Sequence, residues 1–138
     1  MVLHGIEGHG RTTWEHVKSS SEKVFWPNDL LPKELEKRGL YAKILSIEYD
    51  ARMVPQESSF SSVSIDLRGL AMMRFLLSLG VGLQSPVIFI CHSMGGLVYK
   101  SLTVAAQNYS IGALTDLDRI KAESLINNTI GNITISIS

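Results

Sequence analysis

Apolar positions along the chain fall into two alternating patterns, short β-branched runs and longer stretches at helical spacing. Val2-Leu3 reads as the end of a strand, Lys43 to Tyr49 (KILSIEY) as a second, Val87 to Ile90 (VIFI) as a third and Gly131 to Ile137 as a fourth. Short runs of this kind between turn residues suit a pleated, half-buried ribbon. Between the first two runs, Asp29 is placed to cap a helix with Pro32 in its first turn and Gly39 at its stop. The fixed φ of proline suits a helix start, and glycine tolerates the left-handed stop. Residues 62 to 79 carry Leu70, Met73 and Leu77 beside Met72, Phe75, Leu76 and Leu79, one broad helical face that ends at Gly80 and Gly82. A third helix is predicted from Gly95 or Gly96 to about Gln107, with Leu97, Val98, Leu102 and Ala105 toward the sheet. Gln56 to Ser62 and Gln84 to Pro86 read as loops. Strands alternating with helices predict an α/β fold, a mostly parallel sheet of about four strands with flanking helices in one domain over residues 1–138.

Composition narrows the partners. A chain of 138 residues with 45% hydrophobic content can close one core. Thirteen Lys and Arg balance thirteen Asp and Glu, and no basic stripe follows the chain, so nucleic acid is not an expected partner. Cys91 is the single cysteine, which excludes an internal disulfide, and no Cys/His spacing suggests a metal site. No cofactor motif is present. The chain opens without a secretory leader pattern, and its longest apolar stretch, Leu70 to Leu79, is interrupted by Arg74 and Ser78. That is far shorter than the roughly 20 residues needed to span a bilayer.

The chemistry concentrates in Ile90-Cys91-His92-Ser93-Met94-Gly95-Gly96, which follows an apolar strand and opens a helix. That is the context of a nucleophile elbow, a strained turn that lifts a serine hydroxyl above the sheet edge and needs small neighbours. Gly95 meets the demand, while Cys91 stands where the pattern has its first glycine. Taken alone, Ser93 reads equally well as a helix cap. His4-Gly5-Ile6-Glu7-Gly8 directly after the first strand shifts the balance, because a glycine-containing loop there presents backbone N–H groups to an oxyanion. In that arrangement Ile6 and Met94 supply the donors, Ser93 the nucleophile, and His4, Gly5, His92 and Gly95 support the loop and elbow. The plainer reading of His4-Gly5 is an ordinary tight turn.

Taken together, His4-Gly5 with Gly8, Thr13-Trp14, Trp26-Pro27 with Asp29-Leu30-Leu31-Pro32, Glu48-Tyr49-Asp50, the 91–96 elbow and Asn127-Asn128-Thr129 before Gly131 resemble the serine active site-containing proteins, a family of lipase-like α/β-hydrolases. The resemblance spans nearly the whole chain. It implies a partial α/β-hydrolase with sheet order 2-1-3-4, so that the His4-Gly5 loop lies beside Ser93. It also implies a lipid or other ester substrate, a setting in phospholipid remodelling, association with a membrane surface, and mitochondrial and endoplasmic-reticulum membranes as the location. Family members have further sheet before the first strand, and the acid and histidine of the triad follow the fourth strand. The resemblance therefore implies a chain truncated at both ends that cannot complete a triad alone.

No histidine follows Ser93. His4 belongs to the oxyanion loop, His92 adjoins the serine, and His9 and His16 lie in or after the first loop, so none reads as the base. Asp116, Asp118 and Glu123 read as a solvated loop or short capped helix, and Asp50, just past a strand end, as a turn cap or else as a group that touches a substrate or orders the loop. Beside the hydrolase stand two alternatives: a catalytically inactive isoform or binding module, and a flavodoxin-like domain holding an anion at a helix N-terminus. An open four-stranded sheet also predicts a protein partner covering its edges.

Overall fold

The computed structural model describes residues 1–5, 8–19, 22–49 and 62–135, the side chains of 62–64 excepted. In chain order the elements are β1 (Val2–Leu3), a 3-10 turn (Thr12–Trp14), β2 (Glu15–Ser19), β3 (Glu22–Phe25), α1 (Trp26–Asp29), α2 (Leu31–Glu36), β4 (Ser46–Ile47), α3 (Ser62–Ser78), β5 (Val87–His92), α4 (Gly95–Ile111), α5 (Asp116–Asn127) and β6 (Thr129–Ile135). β4, β1, β5 and β6 form a four-stranded sheet in that order, and all three pairings are parallel. This is the 2-1-3-4 order expected of a partial α/β-hydrolase sheet, with helices flanking it.

Each strand is buried because of what its register places on one face. Val2 pairs with Ile90 and Leu3 with Cys91, and Leu3 also pairs with Ile47, so Leu3, Ile47 and Cys91 share a face with Phe89. Met72, Met73, Leu76, Val98, Leu102, Ala106, Ala122 and Leu125 of α3, α4 and α5 close over that face to make the core. On the opposite face Ile88, Ile133 and Ile135 are 46%, 55% and 40% exposed. Apart from Trp14, which packs on His92, no described element covers this side of β5 and β6, which is unusual for a parallel sheet.

Several boundaries and faces differ from the sequence reading. The second strand shrinks from Lys43–Tyr49 to Ser46–Ile47, because β4 pairs only with the two residues of β1. β5 extends two residues past Ile90 to His92, carried by the long ladder with β6. β6 begins at Thr129, and residues 136–138 lie outside the description, as do 50–61 with most of the predicted 56–62 loop. Asp29 does not cap the helix that follows it. It ends α1, and its carboxylate accepts the Phe25 N–H, 2.8 Å away, at the start of α1. Pro32 does sit at the start of α2. Phe75 and Leu79, read as part of the broad apolar face of α3, and Leu97, expected to face the sheet, are 52%, 57% and 48% exposed. α4 runs four residues beyond Gln107 and carries a long α3 contact in which Gly69 abuts Ser101 and Leu102.

Two elements had little signal. The antiparallel β2–β3 hairpin carries charges where a buried strand would carry alternating apolar residues. It is held by Glu15, whose carboxylate lies 2.6 Å from Arg11 Nε and 3.9 Å from Lys23 Nζ, and by Trp14, which is buried. The 116–127 segment is a full helix, with the Thr115 hydroxyl accepting the Asp118 N–H at 3.1 Å.

Phe89→Ala is expected to cost about 3–5 kcal/mol because it empties the centre of the core, whereas Ile133→Lys on the open face should stay within about 0.5 kcal/mol. Urea titrations of the two variants check the contrast; equal losses would mean that the open face is covered.

Candidate active site

Strands β1, β4 and β5 are parallel, so the residues that follow them, His4, Glu48 and Ser93, emerge at one edge of the sheet. At β5 the chain turns directly into α4, and Ser93 takes φ 51°. It is the one non-glycine residue with positive φ among the described residues. An L-residue in this region costs about 1–2 kcal/mol, and such strain persists only where the surroundings over-determine it.

Backbone contacts on two sides supply that determination. The Ser93 N–H donates to the Ile135 carbonyl of β6 at 3.0 Å, and the Ser93 carbonyl accepts the Gly96 N–H at 3.0 Å. Across the turn lies Gly5: a Cβ there would stand 2.8 Å from Ser93 Cβ and 3.0 Å from both His92 Nδ1 and the His92 carbonyl. Gly95 is as constrained, since a Cβ would stand 2.7 Å from the Leu3 carbonyl and 2.9 Å from that of His4. Glycine at both places lets the β1 loop, the turn and the first turn of α4 meet backbone to backbone. Cys91 is tolerated in place of glycine because its side chain points into the buried core face, its Sγ 3.5 Å from Asn132 Oδ1.

The Ser93 side chain is exposed, and no described side chain hydrogen-bonds its hydroxyl. Met94 packs its side chain into the core, and no described carbonyl takes its N–H, the usual state of an amide at a helix start. Ile6 and Asp50 lie outside the described residues.

Among the described residues His4 is the one buried polar side chain, and it is fully enclosed. The Tyr49 N–H donates to its Nε2 at 3.2 Å, the two rings stack at 4.3 Å and 13°, and the Tyr49 hydroxyl donates to the His4 carbonyl. Since Nε2 accepts, Nδ1 carries the ring hydrogen and faces the Gly5 carbonyl at 3.1 Å. That leaves His4 no lone pair for a substrate proton. His92 packs edge-on against Trp14 at 6.2 Å, and His92 Nδ1 and Trp14 Nε1 are buried without partners among the described residues. His9 Nδ1 lies 3.1 Å from Glu48 Oε1 in an exposed pair, and His16 is exposed on β2. Asp116 and Glu123 hold Arg119, and Asp118 belongs to the Thr115 cap.

Burial also raises two acids at this site, pushing the Cys91 thiol and the Tyr49 phenol each up to about 12. Next to Tyr49 a groove of about 550 Å³ opens between the end of β4 and α3, lined by Ile47, Glu48, Tyr49, Leu67, Arg68, Ala71, Met72 and Phe75. Its size lies in the range of small-molecule sites, and it accounts for the exposure of Phe75. Among the described residues no His, Cys, Asp and Glu gather into a metal-binding group. No described helix is long and apolar enough to cross a membrane. Tyr49, Trp14 and the His9–Glu48 pair were legible only as motif letters, because their contacts join residues far apart in sequence.

Over 99% of its length the chain is similar to Protein SERAC1 of Bos taurus (28% identical over 151 residues), of Homo sapiens (27% over 151) and of Danio rerio (29% over 155). The chain spans 21% of the length of each of these relatives. No family model and no solved structure matches. The likeness agrees with the resemblance carried by the motifs.

Ser93→Gly should raise stability by roughly 1 kcal/mol, because glycine occupies positive φ without strain; a lower denaturation midpoint would show that the turn is unstrained. The second expectation concerns pH. The Cys91 and Tyr49 pKa values in the fold exceed their ordinary values of 9.0 and 10.0, so their contribution is complete below pH 9.0 and is lost as pH rises toward about 12. Urea midpoints should therefore fall as pH rises from 9.0 toward about 12, on top of any general alkaline loss, and Cys91→Ala should reduce that fall.

Proposed function

We propose that the chain carries the nucleophile elbow of a serine ester hydrolase, with Ser93 as the nucleophile. The observation that carries this reading is the φ of 51° at an exposed serine between a buried strand and a helix. A helix-capping serine has no need of that strain, whereas an attacking hydroxyl needs to be lifted clear of the sheet. Ser93 Oγ attacks the ester carbonyl carbon, its proton passes to a base, and the carbonyl oxygen becomes an oxyanion. The Met94 N–H and the N–H of Ile6 in the loop after Gly5 are the donors for that charge. Collapse expels the alcohol and leaves an acyl-serine, which water then cleaves.

The groove beside Tyr49 favours an ester with an apolar portion, and the family resemblance carried by the motifs implies a phospholipid-remodelling setting at mitochondrial and endoplasmic-reticulum membranes. The resemblance implies an acid and a histidine on strands beyond the fourth, so the proton acceptor is assigned to residues other than the described histidines. That assignment has a rival. His4 has its Nε2 occupied, His9 is paired with Glu48, and no described side chain reaches the Ser93 hydroxyl, which favours a binding module that keeps the elbow shape without its chemistry.

Labelling of the purified chain with a fluorophosphonate separates the two, because the probe reacts with activated serine hydroxyls. Labelling that disappears in Ser93→Ala is the expected result for the hydrolase. A folded chain whose serine stays unlabelled would identify the binding module instead.

A further inference from the structure

A stripe of apolar side chains on α3 remains largely open, and it borders the groove beside β4. Leu67 and Phe75 are 61% and 52% exposed, and with Ala71 between them they follow one another at four-residue spacing along one side of the helix. Ile47 and Met72, both buried, form the floor. Single exposed apolar residues are ordinary, but a stripe of them along a concave volume of small-molecule size marks a site for an apolar ligand.

The groove has a polar end and an apolar end. α3 joins β4 to β5, which run parallel, so it passes back against them and its first turns lie at the edge where β4 ends. Arg68 therefore stands with Glu48 and Tyr49 at that edge, while Phe75 lies at the far end, about 12 Å from Leu67 along the helix axis. Arg68 is the one cationic side chain in the lining, close enough to Tyr49 for its charge to act on the phenol. The Glu48 carboxylate faces His9 Nδ1 at 3.1 Å, and the Tyr49 hydroxyl gives its hydrogen to the His4 carbonyl. The charged donor at the polar end is thus Arg68, whose planar guanidinium matches a carboxylate through two parallel hydrogen bonds. Glu48, in the same lining, opposes the second negative charge that a phosphate monoester would bring.

We propose that this groove binds a medium-chain fatty carboxylate, its alkyl chain along Ile47, Met72 and Phe75 and its carboxylate on Arg68. The site goes beyond the ester-hydrolase reading and holds whether or not Ser93 reacts. Burial of the chain supplies the affinity, and the guanidinium at the sheet edge selects the head.

Titration of the purified full chain with sodium decanoate, followed through the backbone amide signals, tests it. Saturable shifts are expected at residues 47–49 and 67–75, and none at Ile88, Ile133 and Ile135, the other open apolar surface. Hexanoate should bind far more weakly, since each methylene removed from water is worth up to about fourfold in affinity. Decyltrimethylammonium, with a similar chain and a cationic head, should bind about 10-fold more weakly than decanoate, the scale of one hydrogen bond to a charged group. Two variants locate the contacts. Ala71→Trp, at an exposed helix position, fills the groove and should abolish the shifts, while Arg68→Gln should remove the advantage of decanoate over the cationic amphiphile. Shifts on the isoleucine face, no saturable binding, equal binding of the two heads, or Ala71→Trp without effect each overturn the proposal. The head-group comparison is made on the unaltered chain, so it decides even where a variant fails to fold.

Discussion

Everything at the top of the sheet depends on how closely the loop after β1 can lie against the turn after β5. Two glycines permit it. A side-chain carbon at Gly5 would stand 2.8 Å from Ser93 Cβ, and one at Gly95 would stand 2.7 Å from the Leu3 carbonyl. Close approach lets the backbone of β1, the serine turn and the start of α4 form one contact, and that contact together with the Ile135 carbonyl sustains the left-handed Ser93. Strain of this kind subtracts from stability and is retained where something else gains by it.

The same constraint explains why a histidine is buried. His4 follows β1 immediately, in the space under the loop, where water is excluded and both ring nitrogens need partners. Tyr49 and the Gly5 carbonyl meet that need. His4 thereby becomes a structural element of the loop instead of an acid–base group, although its residue type alone would allow either.

Away from the site the molecule is unevenly covered. α3, α4 and α5 pack on the face that carries Leu3, Phe89 and Cys91, while the isoleucines of β5 and β6 on the other face remain open. The short β4 and β1 contribute only two paired residues each, so the core rests chiefly on β5, β6 and the α3–α4 contact. The β2–β3 hairpin adds little apolar burial of its own and reaches the rest through Trp14, which meets both Trp26 and His92.

Alternation of apolar runs with helical periods was enough to give the α/β class, because a period of two and a period of 3.6 each bury one face only in its own element. It also placed α3, the start of α4, β5 and the serine turn, all of which announce themselves by local residues such as Val87 to Ile90 and Gly95-Gly96. The strand order followed from the family resemblance, not from periodicity. The hairpin at Glu15–Phe25 stayed hidden because its pairing buries so little that no apolar pattern is required, and Phe75, Leu79 and Leu97 point outward because neighbouring elements, not helix periodicity, decide which side of a helix is covered. Tertiary structure alone decided the environment of the chemistry: that Ser93 is strained and exposed, that His4 has surrendered its lone pair to the Tyr49 amide, and that Cys91 faces the core. Each of these joins residues far apart along the chain, as Tyr49 with His4 and Ser93 with Gly5, and no local sequence pattern encodes a contact whose two halves are brought together only when the sheet closes.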